Sequence, residues 1–289
     1  MKLPRLRTVL LTPLALFAVF YVAAAMKFAV DDDPVETYEG SPGNHRTVAI
    51  FGASGTAGDG ILKAALANPD IETIHVITRR ETPRIAQGVA SGKVQMTLHM
   101  DYLDYSAVGE QIAQADAVYW AIGTSSVGVD DKTYGMIHVD FPMRFVVEWT
   151  RVSTAADLSF HYISSSDISA DSRMMWAREK LRAERTLFEF AEGSNLRVIA
   201  YRPDYIGPTE EQAHIGQDLL YWFFAPVRSA VRAKQIGQAM LEVSARGSQF
   251  DNGDRLGTWN ILRYSDAYER RQARNIRRKE QLESTDTGY

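Results

Sequence analysis

A lysine and a cluster of serines are the side chains of this sequence best suited to act together chemically. Lys180 ends the helix-like stretch MWAREK at 175–180, Trp176 lies four residues before it, and YISSS at 162–166 precedes both. Residues at i and i+4 share one helix face, so a tyrosine at position 176 would complete a proton relay with the lysine and a serine. Tryptophan has one N–H donor and no acceptor, so Trp176 cannot shuttle a proton at physiological pH.

A glycine-rich stretch, GASGTAG, is the second feature with chemical meaning. It carries Gly52, Gly55 and Gly58 between an apolar run and a helix-like segment. Glycines at such a junction let the backbone approach a pyrophosphate, and the helix N-terminus offers free N–H groups. Ser54 and Thr56 can add hydroxyl donors. The spacing differs from the G-x-G-x-x-G of many dehydrogenases. A tight turn is the alternative interpretation, but the position at the first strand–helix junction favours dinucleotide binding.

The next strand-like run ends in Arg79 and Arg80. Sites that prefer NAD usually carry Asp or Glu there for the ribose hydroxyl, whereas two guanidiniums suit a 2′-phosphate through bidentate hydrogen bonds. NADP is therefore predicted rather than NAD, and a solvated pair at a strand end is the alternative. Asp101, after the third run, is expected either to accept a hydrogen bond from the adenine amino group or to serve as a turn residue.

The elements that must position these residues alternate along the chain. Strand-like segments occur at 47–53, 72–80, 94–102, 116–124, 158–166 and 195–203. Helix-like segments occur between them at 55–68, 105–115, 136–154 and 172–193. This alternation predicts an α/β fold with a doubly wound parallel sheet of the Rossmann type. After Pro203 the pattern loosens.

Composition excludes several classes of protein. The chain of 289 residues has a net charge of -4 and no cysteine, so general nucleic-acid binding, disulfides and thiolate chemistry are not expected. The six histidines form no i, i+4 pair, which makes a metal site improbable. No serine lies in a G-x-S-x-G elbow, which disfavours an α/β-hydrolase. The aromatic segment 219–231 is most simply core, with a place in a substrate pocket as one alternative.

The N-terminus predicts a membrane segment. An uncharged run at 8–26 follows the basic MKLPRLR, and its length roughly matches a hydrocarbon core of ~30 Å. A single-pass anchor is favoured, with the N-terminus on the cytoplasmic side. A cleaved signal peptide, leaving a secreted or luminal protein, is second, and a buried core helix is third. The expected organisation is a membrane anchor or signal segment at 1–30, a linker at 31–45, the dinucleotide-binding domain at 46–265 and a basic polar tail at 266–289.

Several motifs, taken together, resemble a known group. They are GASGTAG, the TRR ending, Asp101, AIGTS at 121–125, the serine cluster, the helix with Lys180 and YRPDYIGP at 201–208. In this order they resemble an atypical or extended short-chain dehydrogenase/reductase, and most of all its Tat-interacting-protein and NmrA-like branch. The resemblance covers about residues 46 to 265.

The resemblance implies roles for the matching residues. The pyrophosphate would be held by Gly52, Ser54, Gly55, Thr56 and Gly58, the adenosine phosphate by Arg79 and Arg80, and the adenosine ribose would pass beside Ala121, Ile122 and Gly123. Ser165 would orient the substrate and Lys180 the nicotinamide ribose. Residues from about 207 would form a small C-terminal substrate lid. The implied reaction is hydride transfer between nicotinamide and a carbonyl or alcohol carbon of an unknown small molecule.

Trp176 is the departure from that group, whose working members carry a tyrosine four residues before the lysine. Three hypotheses follow. The site has lost its chemistry and the protein is a non-catalytic dinucleotide-binding or redox-sensing protein; another acid substitutes, with Tyr134, Tyr162 and Tyr205 as candidates; or Lys180 is an ordinary lysine on a solvated helix face.

Overall fold

A parallel sheet of seven strands forms the centre of the molecule. The computed structural model describes residues 6–31, 33–38, 45–213 and 215–286. The strands are β1 (Thr47–Phe51), β2 (Thr73–Thr78), β3 (Val94–Leu98), β4 (Ala117–Trp120), β5 (Leu158–Ile163), β6 (Leu196–Arg202), β7 (Tyr205–Gly207), β8 (Ala230–Arg232) and β9 (Arg255–Gly257). The order across the main sheet is β3-β2-β1-β4-β5-β6-β9, while β7 and β8 pair separately. The predicted α/β fold with a parallel sheet is confirmed.

Helices cover both faces of this sheet. The helices that the structure describes are α1 (Leu6–Val30), α2 (Thr56–Ala67), α3 (Pro83–Ala90), α4 (Gly109–Ala113), α5 (Asp131–Gly135), α6 (Phe141–Val152), α7 (Met175–Ala191), α8 (Ile215–Phe224), α9 (Ala233–Arg246) and α10 (Thr258–Asp286). One core joins the sheet to α2, α3, α9 and α10, and a second joins it to α4, α6 and α7. The arrangement is doubly wound.

Strand β1 shows why these segments are continuous apolar runs in the sequence. Val48 and Ile50 are fully buried in the first core, whereas Ala49 and Phe51 are fully buried in the second. Successive strand residues point to opposite faces, and here both faces are covered by helices. Apolar side chains are therefore required at every position of a central strand.

The last strand and the last two helices complete the sheet and one face. Strand β9 pairs with β6 in parallel, and α10 runs unbroken from Thr258. The boundary predicted between residues 265 and 266 falls inside this helix. Because Ala267, Tyr268 and Arg271 are buried, this part of α10 belongs to the core of the domain.

Helix α1 corrects the prediction for the N-terminus. Among the residues that the structure describes, no helix has both the length and the apolar character needed to cross a membrane. A span requires about 20 predominantly apolar residues facing lipid, whereas the second half of α1 contacts protein. The Tyr21 hydroxyl donates to the Phe223 carbonyl at 2.5 Å, and Arg228 donates to the Phe28 carbonyl at 2.6 Å. The predicted membrane anchor is wrong, and so are the membrane localisation and membrane partner inferred from it. The alternative secreted or luminal localisation, which required cleavage of this segment, has no support in the structure.

Arginines hold the segment that follows α1, which was predicted to be a linker. Their guanidinium groups donate to main-chain carbonyls at 2.5–3.0 Å, in the pairs Arg228 with Asp31, Arg263 with Asp33, Arg270 with Val35, Arg246 with Glu36 and Arg274 with Tyr38. We call residues 33–38 the strap. Charge-assisted hydrogen bonds are stronger than neutral ones, so the strap is tied to α9 and α10 along its length.

Candidate functional site

The glycine loop, residues 52–58, connects β1 to α2, and the backbone passes very close to other backbone atoms at two of its glycines. Gly52 has φ +79°, and a Cβ there would lie 2.6 Å from the Ala121 carbonyl carbon. A Cβ on Gly58 would lie 2.0 Å from the Gly52 oxygen. The Gly55 N–H donates to the Gly52 carbonyl at 2.9 Å, which closes the turn into α2. Gly52 and Gly58 are therefore glycines because the fold leaves no room for a side chain.

Gly55 differs from these two glycines. Its φ of -100° and ψ of 169° are extended values that any residue adopts, and a Cβ at this position would have the Gly52 oxygen as its nearest neighbour, at 3.4 Å. The fold therefore tolerates a side chain at this position. Gly55 lines a cavity, so a side chain would occupy space that a ligand could use.

This cavity, of about 550 Å³, lies at the carboxyl ends of β1, β2, β3 and β4. We call it the loop cavity. It is lined by Gly52, Ser54, Gly55, Thr78, Arg79, Arg80, Met100, Tyr102, Ala121, Ile122 and Gly123. Eight of the predicted cofactor residues are brought together there, and Thr78, Met100 and Tyr102 were not predicted. Helix α2 begins beside the cavity at Thr56, and the first N–H groups of a helix are free to bind anions.

Both arginines that follow β2 face the loop cavity and are exposed. The Arg80 guanidinium donates to the Ser54 carbonyl at 3.3 Å, which places it above the glycine loop. Arg79 lies close enough to Tyr102 to oppose the rise that burial causes in the pKa of that phenol. Within the described parts of the chain neither guanidinium forms an ion pair, so both positive charges are available to an anion.

The remaining predicted cofactor residues lie outside the lining of the loop cavity. Thr56 is exposed at the first turn of α2, and Gly58 is buried beneath the loop. The Asp101 carboxylate accepts from the Leu103 N–H at 2.9 Å, which is the turn contact that the alternative interpretation expected. A contact between Asp101 and adenine stays a prediction.

Lys180 lies at the carboxyl end of β5, separate from the loop cavity. Its ammonium donates to the Ile163 carbonyl at 2.9 Å and lies 5.3 Å from the centre of the Tyr162 ring. Burial lowers the pKa of Lys180 to about 8, although Glu184 acts in the opposite direction. Ser165 follows two residues after Ile163 and is half-buried, as is Trp176 one helical turn before the lysine. Lys180 is therefore bonded to the main chain just before the serine cluster and is not a solvated surface lysine.

Two of the three tyrosines considered as substitute acids, Tyr162 and Tyr134, are poorly placed for that role. The Tyr162 hydroxyl donates to the His138 carbonyl at 3.2 Å, and burial raises its pKa well above the usual value. Burial also raises the pKa of Tyr134 to about 12. The Tyr205 hydroxyl donates to the Gln217 carbonyl at 3.4 Å. A buried phenol whose pKa is raised is a poor proton donor to solvent or substrate near neutral pH.

His138 is a residue of this region that sequence reasoning missed. It lies in a π-helical turn, Met136–Asp140, between α5 and α6. Its Nε2 accepts from the Thr124 N–H at 3.3 Å, and a Cβ on Gly123 would lie 3.0 Å from its ring. π-helical turns often occur at functional sites. The spacing of the histidines in the sequence gave no reason to single out His138, and among the described residues no cluster suited to a metal ion is found.

His138 should make stability depend on pH. Burial and, secondarily, the charge of Lys180 lower the pKa of His138 to about 3. An unfolded histidine titrates near 6.5, so below that pH the unfolded chain binds a proton that the folded chain does not. The free energy of unfolding should therefore fall by about 1.4 kcal/mol per pH unit for this histidine between pH 6.5 and 3.

Urea unfolding at neutral and mildly acidic pH measures this dependence, with His138→Gln as the comparison. The variant should lose stability on acidification less steeply than the native chain, by one proton. Burial raises the pKa of Asp116 to about 6, so protonation of Asp116 in the folded chain should increase stability as the pH falls. This contribution is the same in both proteins and cancels when their slopes are compared. Identical slopes would contradict the assignment.

Solved structures of short-chain dehydrogenases/reductases share this fold. One from Saccharomyces cerevisiae is 12% identical with a TM-score of 0.58, over 74% of this chain and 96% of that one. An oxidoreductase of the same family from Burkholderia thailandensis is 15% identical with a TM-score of 0.60, over 74% and 90%. A 3-oxoacyl-acyl-carrier-protein reductase from Brucella melitensis is 17% identical with a TM-score of 0.58, over 75% and 97%.

These likenesses concern the fold, because the sequence identities are low. No protein-family model matches the sequence, and no curated protein matches it either. The chain thus has the fold of the short-chain dehydrogenases/reductases, with the glycine loop, the two arginines and Lys180 at the carboxyl edge of its sheet.

Proposed function

We propose that this protein binds NADP(H) in the manner of a short-chain dehydrogenase/reductase. The loop cavity carries the proposal, because it joins a glycine loop, a helix N-terminus and two unpaired arginines at the carboxyl ends of four neighbouring strands. In open α/β sheets, ligands bind in the crevice outside these strand ends. The resemblance of its motifs to the NmrA-like branch agrees with this proposal.

The residues of the loop fit a dinucleotide. A pyrophosphate beside Gly55 would meet backbone rather than a side chain, near the positive end of the α2 dipole. The Ser54 hydroxyl lies on the same loop and can donate to a phosphate oxygen. Ala121, Ile122 and Gly123 form the opposite wall, where the adenosine ribose would lie.

Arg79 and Arg80 support NADP over NAD. Replacing both with alanine should weaken NADPH binding by about a hundredfold or more, because two hydrogen bonds to a charged group, at about 1.5 kcal/mol or more each, would be lost. NADH, which has no 2′-phosphate, should bind almost as before. Calorimetric titration with both dinucleotides measures the difference, and Arg46→Ala, which removes an exposed arginine just before β1 at the opposite edge of the sheet, is the control. An equal loss for both dinucleotides would remove the 2′-phosphate role.

Hydride transfer between the nicotinamide and a carbonyl or alcohol carbon is the reaction proposed for this site. The proton that accompanies the hydride would be exchanged by an unidentified group, because Trp176 cannot supply it. A bound nicotinamide would supply the hydride chemistry. Ser165 would orient the substrate oxygen and Lys180 the nicotinamide ribose, which is consistent with the bond from Lys180 to the Ile163 carbonyl. The segment from about 207, which includes β7, α8 and β8, would be the substrate lid.

A non-catalytic dinucleotide-binding or redox-sensing role is the second candidate. Trp176 favours it, since an indole cannot replace a phenol in proton transfer. Calorimetric titration of the full chain with NADPH and NADH tests the common proposal, and absence of binding would overturn it. If NADPH binds, its oxidation in the presence of a panel of ketones and aldehydes separates the two candidates, since only an oxidoreductase consumes NADPH.

A further inference from the structure

A second cavity, of about 660 Å³, lies beyond the carboxyl ends of β5 and β6. Its walls are the second half of α1, the end of α8 with the turn that follows, and the segments after the two strands. It is lined by Phe17, Phe20, Tyr21, Asp167, Asp204, Tyr205, Phe223, Phe224, Val227 and Ser229. We call it the aromatic cavity. Pockets for small molecules commonly have about 300–1,000 Å³ and mostly apolar walls with few polar groups.

Aromatic rings from α1 and α8 form the wall of this cavity together. Tyr21 and Phe223 stack with their centres 5.3 Å apart, and Phe17 stacks on Phe223 at 6.4 Å. Phe224 meets Phe223 edge to face at 5.1 Å and lies 6.2 Å from Tyr205. Such ring pairs stabilise a defined geometry beyond the burial of their area. The aromatic rings of α1 and α8 therefore pack directly against one another and form one continuous wall.

Arg228 fixes α1 in this place. Its guanidinium donates to the Phe28 and Asp31 carbonyls at the end of α1, both at 2.6 Å, and stacks on the Trp259 ring at 3.4 Å. Arg228 has φ +54°, which is uncommon for a residue with a side chain. A cation that caps the last carbonyls of a helix is favourable. These contacts hold α1 at one defined position on the domain.

The two carboxylates of the cavity lie on the side of the sheet. Asp167 follows two residues after Ser165, and Asp204 follows directly after β6 and Pro203. The Asp204 carboxylate is exposed and accepts from the Thr258 hydroxyl at 2.9 Å. An occupant would meet carbon along most of its length and polar groups near the serine cluster.

We propose that the aromatic cavity binds an apolar molecule with a hydroxyl or carbonyl group at one end, and that α1 forms one of its walls. The oxygen end would lie toward Ser165 and the hydrocarbon among the rings of α1 and α8. The proposal names the substrate class for the proposed oxidoreductase site and rests on that function only for the orientation of the oxygen. Binding itself requires no cofactor.

The test is competition by n-octanol, n-decanol and n-dodecanol against bound anilinonaphthalene sulfonate on the full chain. Each buried methylene contributes about 0.8 kcal/mol, so affinity should rise about fifteenfold for each pair of methylenes added. Phe20→Asp, which places a charge on the α1 wall, should flatten this dependence. Val19→Asp is the matched control, because Val19 is the adjacent exposed residue of α1 and does not line the cavity.

Two results would overturn the proposal: affinity that does not rise with chain length, or equal effects of the two aspartate variants. Titration with NADPH on the same proteins keeps this proposal distinct from the proposed function. NADPH binding should be unaffected by Phe20→Asp. Alcohol binding that follows chain length in a protein that binds no NADPH would leave the aromatic cavity established and the dinucleotide proposal rejected.

Discussion

Replacing Gly55 by valine is expected to weaken NADPH binding by about a hundredfold or more while the chain folds as before. The valine side chain would occupy the space in which the pyrophosphate of the proposed cofactor would meet the loop. Loss of two charge-assisted hydrogen bonds, at about 1.5 kcal/mol or more each, already corresponds to that factor. The backbone at Gly55 has extended angles, and a Cβ there would make no contact shorter than 3.4 Å, so the free energy of unfolding should stay within about 1 kcal/mol.

Gly109→Val is the matched control for this change. Gly109 has φ -55° and lies at the start of α4, and a Cβ there would make only ordinary contacts, the nearest at 3.8 Å. Both variants add the same side chain, but only the first adds it beside the loop cavity. Calorimetric titration with NADPH and urea unfolding of both proteins provide the measurement. Unchanged NADPH affinity in Gly55→Val would mean that the glycine loop is only a tight turn.

Gly58→Ala separates the structural role of this loop, which is tight packing at Gly58, from its proposed role in binding at Gly55. Its Cβ would lie 2.0 Å from the Gly52 oxygen, closer than real contacts allow. The backbone must shift to accept even this one carbon, so stability is lost before binding is considered. Gly55 and Gly58 belong to one sequence motif, yet one is open to a ligand and the other is fixed by packing.

The part of the fold that depends on neighbours in sequence could be predicted. Strands β1 to β6 and the glycine loop follow from runs of apolar residues and from a strand–loop–helix junction, in which each residue acts on those nearby. The lining of the loop cavity follows from topology, because parallel strands end at one edge of the sheet. That is why Arg79, Arg80 and the turn at 121–123 meet the glycine loop.

Features that depend on distant residues could not be predicted in this way. Strand β9 has three residues and is defined by pairing with β6. The strap looks like a linker in sequence, because the arginines that bind its carbonyls come more than two hundred residues later. By hydropathy alone α1 resembles a membrane span. A hydropathy value carries no information about which aromatic rings pack on Tyr21. His138 was missed because a π-helical turn has no spacing signal of its own.

The basic segment at 270–281 shows that the pattern of charges in a sequence is also insufficient to predict which charged side chains are buried. A run of arginines is typical of a solvated helix face, yet Arg271 is buried and donates to the Glu242 carboxylate at 2.7 Å and to Asp70 at 3.1 Å. Glu242 is fully buried and also accepts from Arg246 at 2.9 Å. One carboxylate in α9 thus joins two guanidinium groups, and Arg246 extends the network to the strap.

Glu242→Ala should therefore be strongly destabilising. It would leave two guanidiniums with little access to solvent and without their shared acceptor. Removing one partner of a buried ion pair typically costs about 3–5 kcal/mol, and the bond that Arg271 keeps to Asp70 would offset only part of this loss. Urea unfolding measures this loss, and Glu189→Ala, at an exposed position of α7, should stay within about 0.5 kcal/mol.

A double-mutant cycle distinguishes the charge network from simple loss of packing. If the Glu242 carboxylate acts through Arg271, the loss in the free energy of unfolding in the double variant, Glu242→Ala with Arg271→Ala, should be smaller than the sum of the two single losses. The expected difference is about 0.5–3 kcal/mol. Additive effects would show that the two side chains contribute independently. Because Arg246 also donates to the Glu36 carbonyl, Glu242→Ala should increase proteolysis within the strap, whereas loss of packing elsewhere in α9 should not.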